Sequence, residues 1–186
     1  MSTERPCIEV AVVMRKERVV GPASRWQDWR WVLGEVLTGE LAQGQQAKKL
    51  FENEDGTSWL HPGFKVELFK DDGEGYYLNL TTPQPAWFVM WRMEESPLSE
   101  EPMPIPQLVS LSYHDAGRLL DAQETVEQVP APADVVDWLR AFVDEHHVLE
   151  EKRRRRPQSF MRLTDRFGNP ASVSTGKLQG GGGAPS

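Results

Sequence analysis

Pro62-Gly-Phe-Lys-Val-Glu-Leu-Phe-Lys-Asp-Asp-Gly-Glu-Gly-Tyr-Tyr-Leu-Asn-Leu-Thr-Thr-Pro-Gln-Pro-Ala-Trp-Phe-Val-Met-Trp-Arg-Met93 is the stretch around which the chain is organised. Three runs rich in aromatic and branched residues are separated by Asp71-Asp72-Gly73-Glu74-Gly75 and by Pro83-Gln84-Pro85. Glycine and aspartate supply turn conformations and proline removes a ladder donor, so the pattern predicts an antiparallel meander of three strands. In the last run Trp87, Val89, Trp91 and Met93 share one face, and Phe88, Met90 and Arg92 share the other. Apolar residues on both faces predict a central strand covered on both sides.

Upstream, Lys48 to Glu52 and Thr57 to Leu60 flank Asn53-Glu54-Asp55-Gly56, and the Asp-Gly step marks a hairpin. Ile8, Val10, Val12 and Met14 alternate with Ala11 and Val13, which predicts a strand over 8 to 20. After the Gly21-Pro22 break, Trp29, Trp31 and Leu33 alternate with Arg30 and Val32. The same segment also satisfies a helical face, but its aromatic and β-branched content favours a strand over 29 to 37.

Downstream, Pro97, Pro102, Pro104 and Pro106 among several acids predict an extended, solvated connector over 94 to 106. A short strand follows at 107 to 111, and Ser112-Tyr113-His114-Asp115 has the spacing of a capping box, opening a short helix with Ala116, Leu119 and Leu120 on one face. Residues 124 to 129 read as extended. Pro130-Ala131-Pro132 precedes the clearest helix, about 133 to 147, whose Val135, Trp138, Leu139, Phe142 and Val143 form a core-facing stripe. The expected class is α+β: a curled antiparallel sheet or partly open barrel of about six or seven strands, with a short helix and a C-terminal packing helix. One domain is expected over 1 to 149, followed by a basic, Gly-rich, disordered tail over 150 to 186.

Charge divides at the same point. Lys152, the arginines at 153 to 156, Arg162, Arg166 and Lys177 against Asp165 give residues 152 to 186 a charge of +7. The chain as a whole carries −7, so residues 1 to 151 carry −14. Such a body repels nucleic acid and suits a basic protein partner. The start of the chain shows no signal-peptide pattern and no stretch is apolar enough for a membrane span, so a cytoplasmic protein with no membrane partner is expected. Cys7 is the single cysteine, which excludes an internal disulfide.

No recognisable catalytic, metal or phosphate-binding motif is present. His146 and His147 are neighbours and diverge by about 100° on a helix, so they do not converge on one metal. No cofactor is expected, and catalysis is not the favoured reading. The set Arg25, Trp26, Asp28, Trp29 and Arg30, just after a Gly-Pro break, is a candidate interaction edge. Tryptophan and arginine dominate interface hot spots because they join large buried area to directional donors.

Gly21 to Trp31, Glu74 to Thr81, Pro85 to Met93 and Val109 to Arg118 resemble the bacterial family known as domain of unknown function 3305, over about Ile8 to Pro157. Genes of that family tend to lie beside those of molybdenum-dependent formate dehydrogenases and their maturation factors. The resemblance therefore implies a non-catalytic accessory protein, with a formate dehydrogenase subunit or maturation factor as its partner. Some members are labelled as molybdopterin-guanine dinucleotide biosynthesis proteins, but this chain lacks the Gly-Gly-x-Ser-x-Arg-Met-Gly loop of that transferase. The alternative is a protein that binds or delivers a molybdopterin-type cofactor, with Arg25, Arg30, Arg92 and the tryptophans around a pterin-like ring. Nucleic-acid binding through the arginine-rich segment ranks below both.

Overall fold

The computed structural model describes residues 4 to 147; the expected tail over 150 to 186 lies outside them. Seven strands and three helices follow one another as β1 (Cys7–Arg18), β2 (Trp29–Thr38), β3 (Lys48–Asn53), β4 (Gly56–Glu67), α1 (Gly73–Leu80), β5 (Ala86–Glu94), β6 (Met103–Ser110), α2 (Tyr113–Asp121), β7 (Thr125–Pro130) and α3 (Ala133–His146). The class is α+β, as expected. The strands divide between two antiparallel sheets, ordered β2-β1-β4-β3 and β6-β5-β7, and among the described residues no barrel closes.

Alternation in β1 explains how the sheets meet. Val10, Val12 and Met14 are fully buried on the face turned towards the second sheet, while Ala11 and Val13 are buried on the other under the short 3₁₀ turn Gly39–Ala42. Trp87 and Val89 of β5 oppose them, and β2 packs on β7 and β4 on β6. The predicted double cover of β5 is present: Trp87 and Val89 face this core, and Phe88 faces α2. Helix α3 contributes Val135, Leu139, Phe142 and Val143 to the same core, with Trp138 only partly buried at its margin.

Two expectations are corrected. The middle run of the predicted meander is not a strand but α1. Tyr76 is buried there, edge-on to Phe142 at 5.8 Å between ring centroids, and its hydroxyl oxygen accepts from the Phe69 amide. Of the acids read as a turn, Asp71 and Asp72 lie in a 3₁₀ turn, Lys70–Asp72, that leads into the positive end of α1, and Glu74 lies in the first turn of α1, where acidic residues are favourable. Packing against α3 then outweighs the β preference of Tyr-Tyr-Leu. The connector also ends earlier than expected, because β6 begins at Met103, which is 1% exposed. Its prolines are tolerated because β6 is an edge strand, where a missing N–H leaves no partner wanting.

His61 of β4, opposite Val12, is 5% exposed, and its Nε2 atom has no hydrogen-bond partner among the described residues. Burial pushes its pKa down from 6.5 to about 4. Between those values the unfolded chain binds a proton here that the folded chain does not. Stability is therefore expected to fall as pH drops from about 6.5 to about 4, by roughly 3 kcal/mol from this group alone. Urea titrations across that range should show His61→Leu losing this part of the slope, with no loss of stability at neutral pH. An unchanged slope in the variant would refute the assignment.

Candidate functional site

The loop joining β1 to β2 carries the candidate edge. Gly21 has φ of +91°, Pro22–Arg25 form one 3₁₀ turn, and the Val19 amide donates to the Asp28 carbonyl at 2.9 Å to close the loop. Arg25, Trp26 and Asp28 are exposed on this loop, and Trp26, at 90% exposed, packs on nothing. Val20, on the same loop, is 89% exposed.

The other two residues diverge, as neighbours in a strand must. Arg30 lies opposite Glu17 on the outer face of the sheet, and its Nε and Nη2 both donate to Glu17 Oε1, at 2.9 and 2.6 Å. Trp29 lies on the inner face, half-buried, with the Arg18 guanidinium 5.1 Å and the Lys16 ammonium 5.9 Å from its ring centroid. The structure thus keeps Arg25, Trp26 and Asp28 together on one exposed loop and sends Trp29 and Arg30 to opposite faces of β2.

Beyond Trp29 the inner face continues into a groove of about 480 Å³ that the sequence reading missed. Lys16 follows Met14 on the buried face of β1, with Trp31 and Thr57 opposite it on the neighbouring strands, and Trp59 lies beside Met14. The Lys16 ammonium lies 5.8 Å from the Trp31 centroid and Lys49 lies 5.5 Å from that of Trp59. The β5–β6 connection forms the opposite wall. Both lysines are already paired, Lys16 with Glu101 at 3.4 Å and Lys49 with Glu52 at 2.7 Å, and Glu100 adds a further acid. Aromatic faces are available here, but a phosphate would meet more carboxylates than ammoniums. Period alone could place Lys16 on the Met14 face; it could not bring Trp59 there without the strand order.

Arg92 belongs elsewhere. It lies on the outer face of the second sheet, with Nη2 2.5 Å and Nε 3.0 Å from the Glu124 carboxylate oxygens. These hydrogen bonds hold the Glu124 carboxyl below its ordinary pKa and raise that of Arg92. Arg30 and Arg92 are therefore on the outer faces of different sheets, each with its own carboxylate, and do not surround one ring.

Between the sheets, Glu127 of β7 accepts at Oε2 from the Trp91 indole at 2.7 Å and from the Leu33 amide of β2 at 3.0 Å. At the start of α2, Ser112 caps the helix by accepting from the Asp115 amide, as the capping spacing predicted. Asp72, hydrogen-bonded to Ser112, has its pKa raised chiefly by burial.

Among the described residues no group of three or more His, Cys, Asp or Glu side chains could hold a metal ion, and no helix is long and apolar enough to cross a membrane. No curated protein and no solved structure matches the chain. A family model matches residues 9–156, most of its length. The chain belongs to the family described as Protein of unknown function (DUF3305).

Proposed function

We propose that this protein is a non-catalytic accessory factor that holds a protein partner through the β1–β2 loop, and that the partner is a formate dehydrogenase subunit or one of its maturation factors. The observation that carries the binding role is Trp26, a large aromatic side chain 90% exposed on a loop that does not need it for packing. Val20 widens the apolar patch, while Arg25 and Asp28 supply polar groups at its rim. That arrangement, an aromatic anchor with directional donors beside it, is what interface hot spots use. The choice of partner rests on the gene company that the family keeps.

Because Trp26 is exposed, its removal separates binding from folding. Trp26→Ala combined with Arg25→Ala should leave circular dichroism and melting at the parent's values. The same variant should fail to co-purify the formate dehydrogenase subunit or maturation factor that the parent captures in its native host. A folded variant that still captures that protein would overturn the role of the loop, and a parent that captures neither kind of protein would overturn the choice of partner. Quenching of tryptophan fluorescence by a molybdopterin nucleotide at micromolar levels would instead favour a cofactor carrier.

A further inference from the structure

A second exposed surface lies on the other sheet, where α2 crosses the outer face of β5 and β7. Ala116 of α2 is buried, but Tyr113 and Leu120 are 50% and 56% exposed. Between helix and sheet runs an apolar slot of about 240 Å³, lined by Phe88, Ala116 and Val126 and flanked by Tyr113 and Leu120. Small-molecule pockets run from about 300 to 1,000 Å³. This slot is smaller, the size of an anchor site for a side chain.

Two residues of α2 serve this surface better than they serve the helix, Gly117 at the slot and Asp121 beside it. Gly117 sits mid-helix, where glycine is less favourable than alanine. Its φ is not positive, and a Cβ added there would meet nothing within 4 Å, so neither backbone conformation nor packing calls for glycine. What glycine does is keep the slot open. Asp121 ends the helix at its negative end, where an acid is unfavourable.

Asp121 belongs instead to a shallow depression with Asp71 and Asp72, which shares Tyr113 and Gly117 with the slot. Asp72 lies 3.7 Å from His114 Nδ1, and Arg118 is taken up by Asp115. Neither Asp71 nor Asp121 has an ion-pair partner among the described residues. An apolar slot thus opens beside a ledge whose Asp71 and Asp121 carboxylates no described residue pairs.

We infer that this face of α2 docks a basic segment of a partner protein. One large apolar side chain of the segment enters the slot beside Gly117, and its arginines or lysines meet Asp71 and Asp121. The same carboxylates repel nucleic acid and an anionic membrane surface. The β1–β2 loop plays no part here, so either surface can fail without the other.

The test is a peptide-library selection against the full chain. Enriched sequences should combine a large apolar residue with arginine or lysine close by. A labelled peptide of that consensus should lose affinity at least about tenfold, the loss that accompanies about 1.4 kcal/mol, on Gly117→Leu, which fills the slot. Gly117→Ala, whose Cβ meets nothing, verifies that the helix tolerates a side chain. Asp71→Asn with Asp121→Asn should slow association and flatten its salt dependence. No enrichment, enrichment without basic residues, or equal binding by a folded Gly117→Leu chain would each overturn the proposal. So would a concentration-dependent dimer abolished by Gly117→Leu, which would assign the face to a second copy.

Discussion

Asn79→Ala is expected to destabilise the protein by roughly 4 kcal/mol, because buried polar groups left without partners cost about 1–3 kcal/mol each. Asn79 is 1% exposed. Its Nδ2 donates to the carbonyls of Ala86 and Leu111, both at 2.9 Å, and its Oδ1 accepts from the Ala86 amide at 3.0 Å. One side chain on α1 thus satisfies the start of β5 and the chain just past β6. Alanine would strand three backbone groups where water does not reach. Since single domains are stable by about 5–15 kcal/mol, such a loss would leave the variant partly unfolded under mild conditions. Asn79→Asp should not rescue it, because a carboxylate would turn an oxygen towards two carbonyl oxygens. Urea midpoints of the two variants decide the matter: a shift for Asn79→Ala worth less than about 1 kcal/mol would remove Asn79 from the structural role given to it.

Gly56→Ala is expected to destabilise by roughly 3 kcal/mol, since it combines an unfavourable backbone conformation with a clash that no side-chain movement relieves. Gly56 has φ of +157°, and a Cβ there would come within 2.1 Å of the Lys16 backbone oxygen. The obstructing atom belongs to β1, so accommodation means prising β4 away from its neighbour. Asn53 meanwhile fixes the turn by accepting at Oδ1 from the amides of Asp55 and Gly56. Gly21→Ala is the control, for its φ is also positive but its Cβ would meet nothing within 4 Å. It should cost less, at the lower end of the about 1–3 kcal/mol that such a backbone conformation carries for a residue with a Cβ. Equal losses in thermal melts of the two variants would show that the clash contributes nothing.

The residues show why some of this was legible in advance and some was not. The Asp55-Gly56 step identified its hairpin because turn chemistry is local, and the stripe Val135, Leu139, Phe142, Val143 identified α3 because its period is. β5 was legible for a similar reason, since both of its alternating faces are apolar. Residues 74 to 80 misled because Tyr76, Tyr77 and Asn79 have little helix preference of their own. What makes them helical is distant: Phe142 beneath Tyr76, and the carbonyls that Asn79 reaches. Of the candidate site, Trp26 was legible as a prominent residue beside a chain break. The Trp31–Trp59 groove was not, because it depends on β1 pairing with a strand about fifty residues away.

The Glu127 carboxylate has a further consequence for how copies of this protein behave together. β2 is an edge of its sheet, and an open edge offers amides that can template a strand from another molecule. The Leu33 amide donates to Glu127 and so points away from β1, towards the side from which a foreign strand would approach. Because Glu127 already occupies it, the edge is interrupted midway along β2, and the exposed charges of Arg30 and Glu35 stand on either side. A bond that joins two sheets within one molecule thereby obstructs this one edge, while the other edge of the sheet, β3, stays open with Leu50 and Phe51 exposed on it.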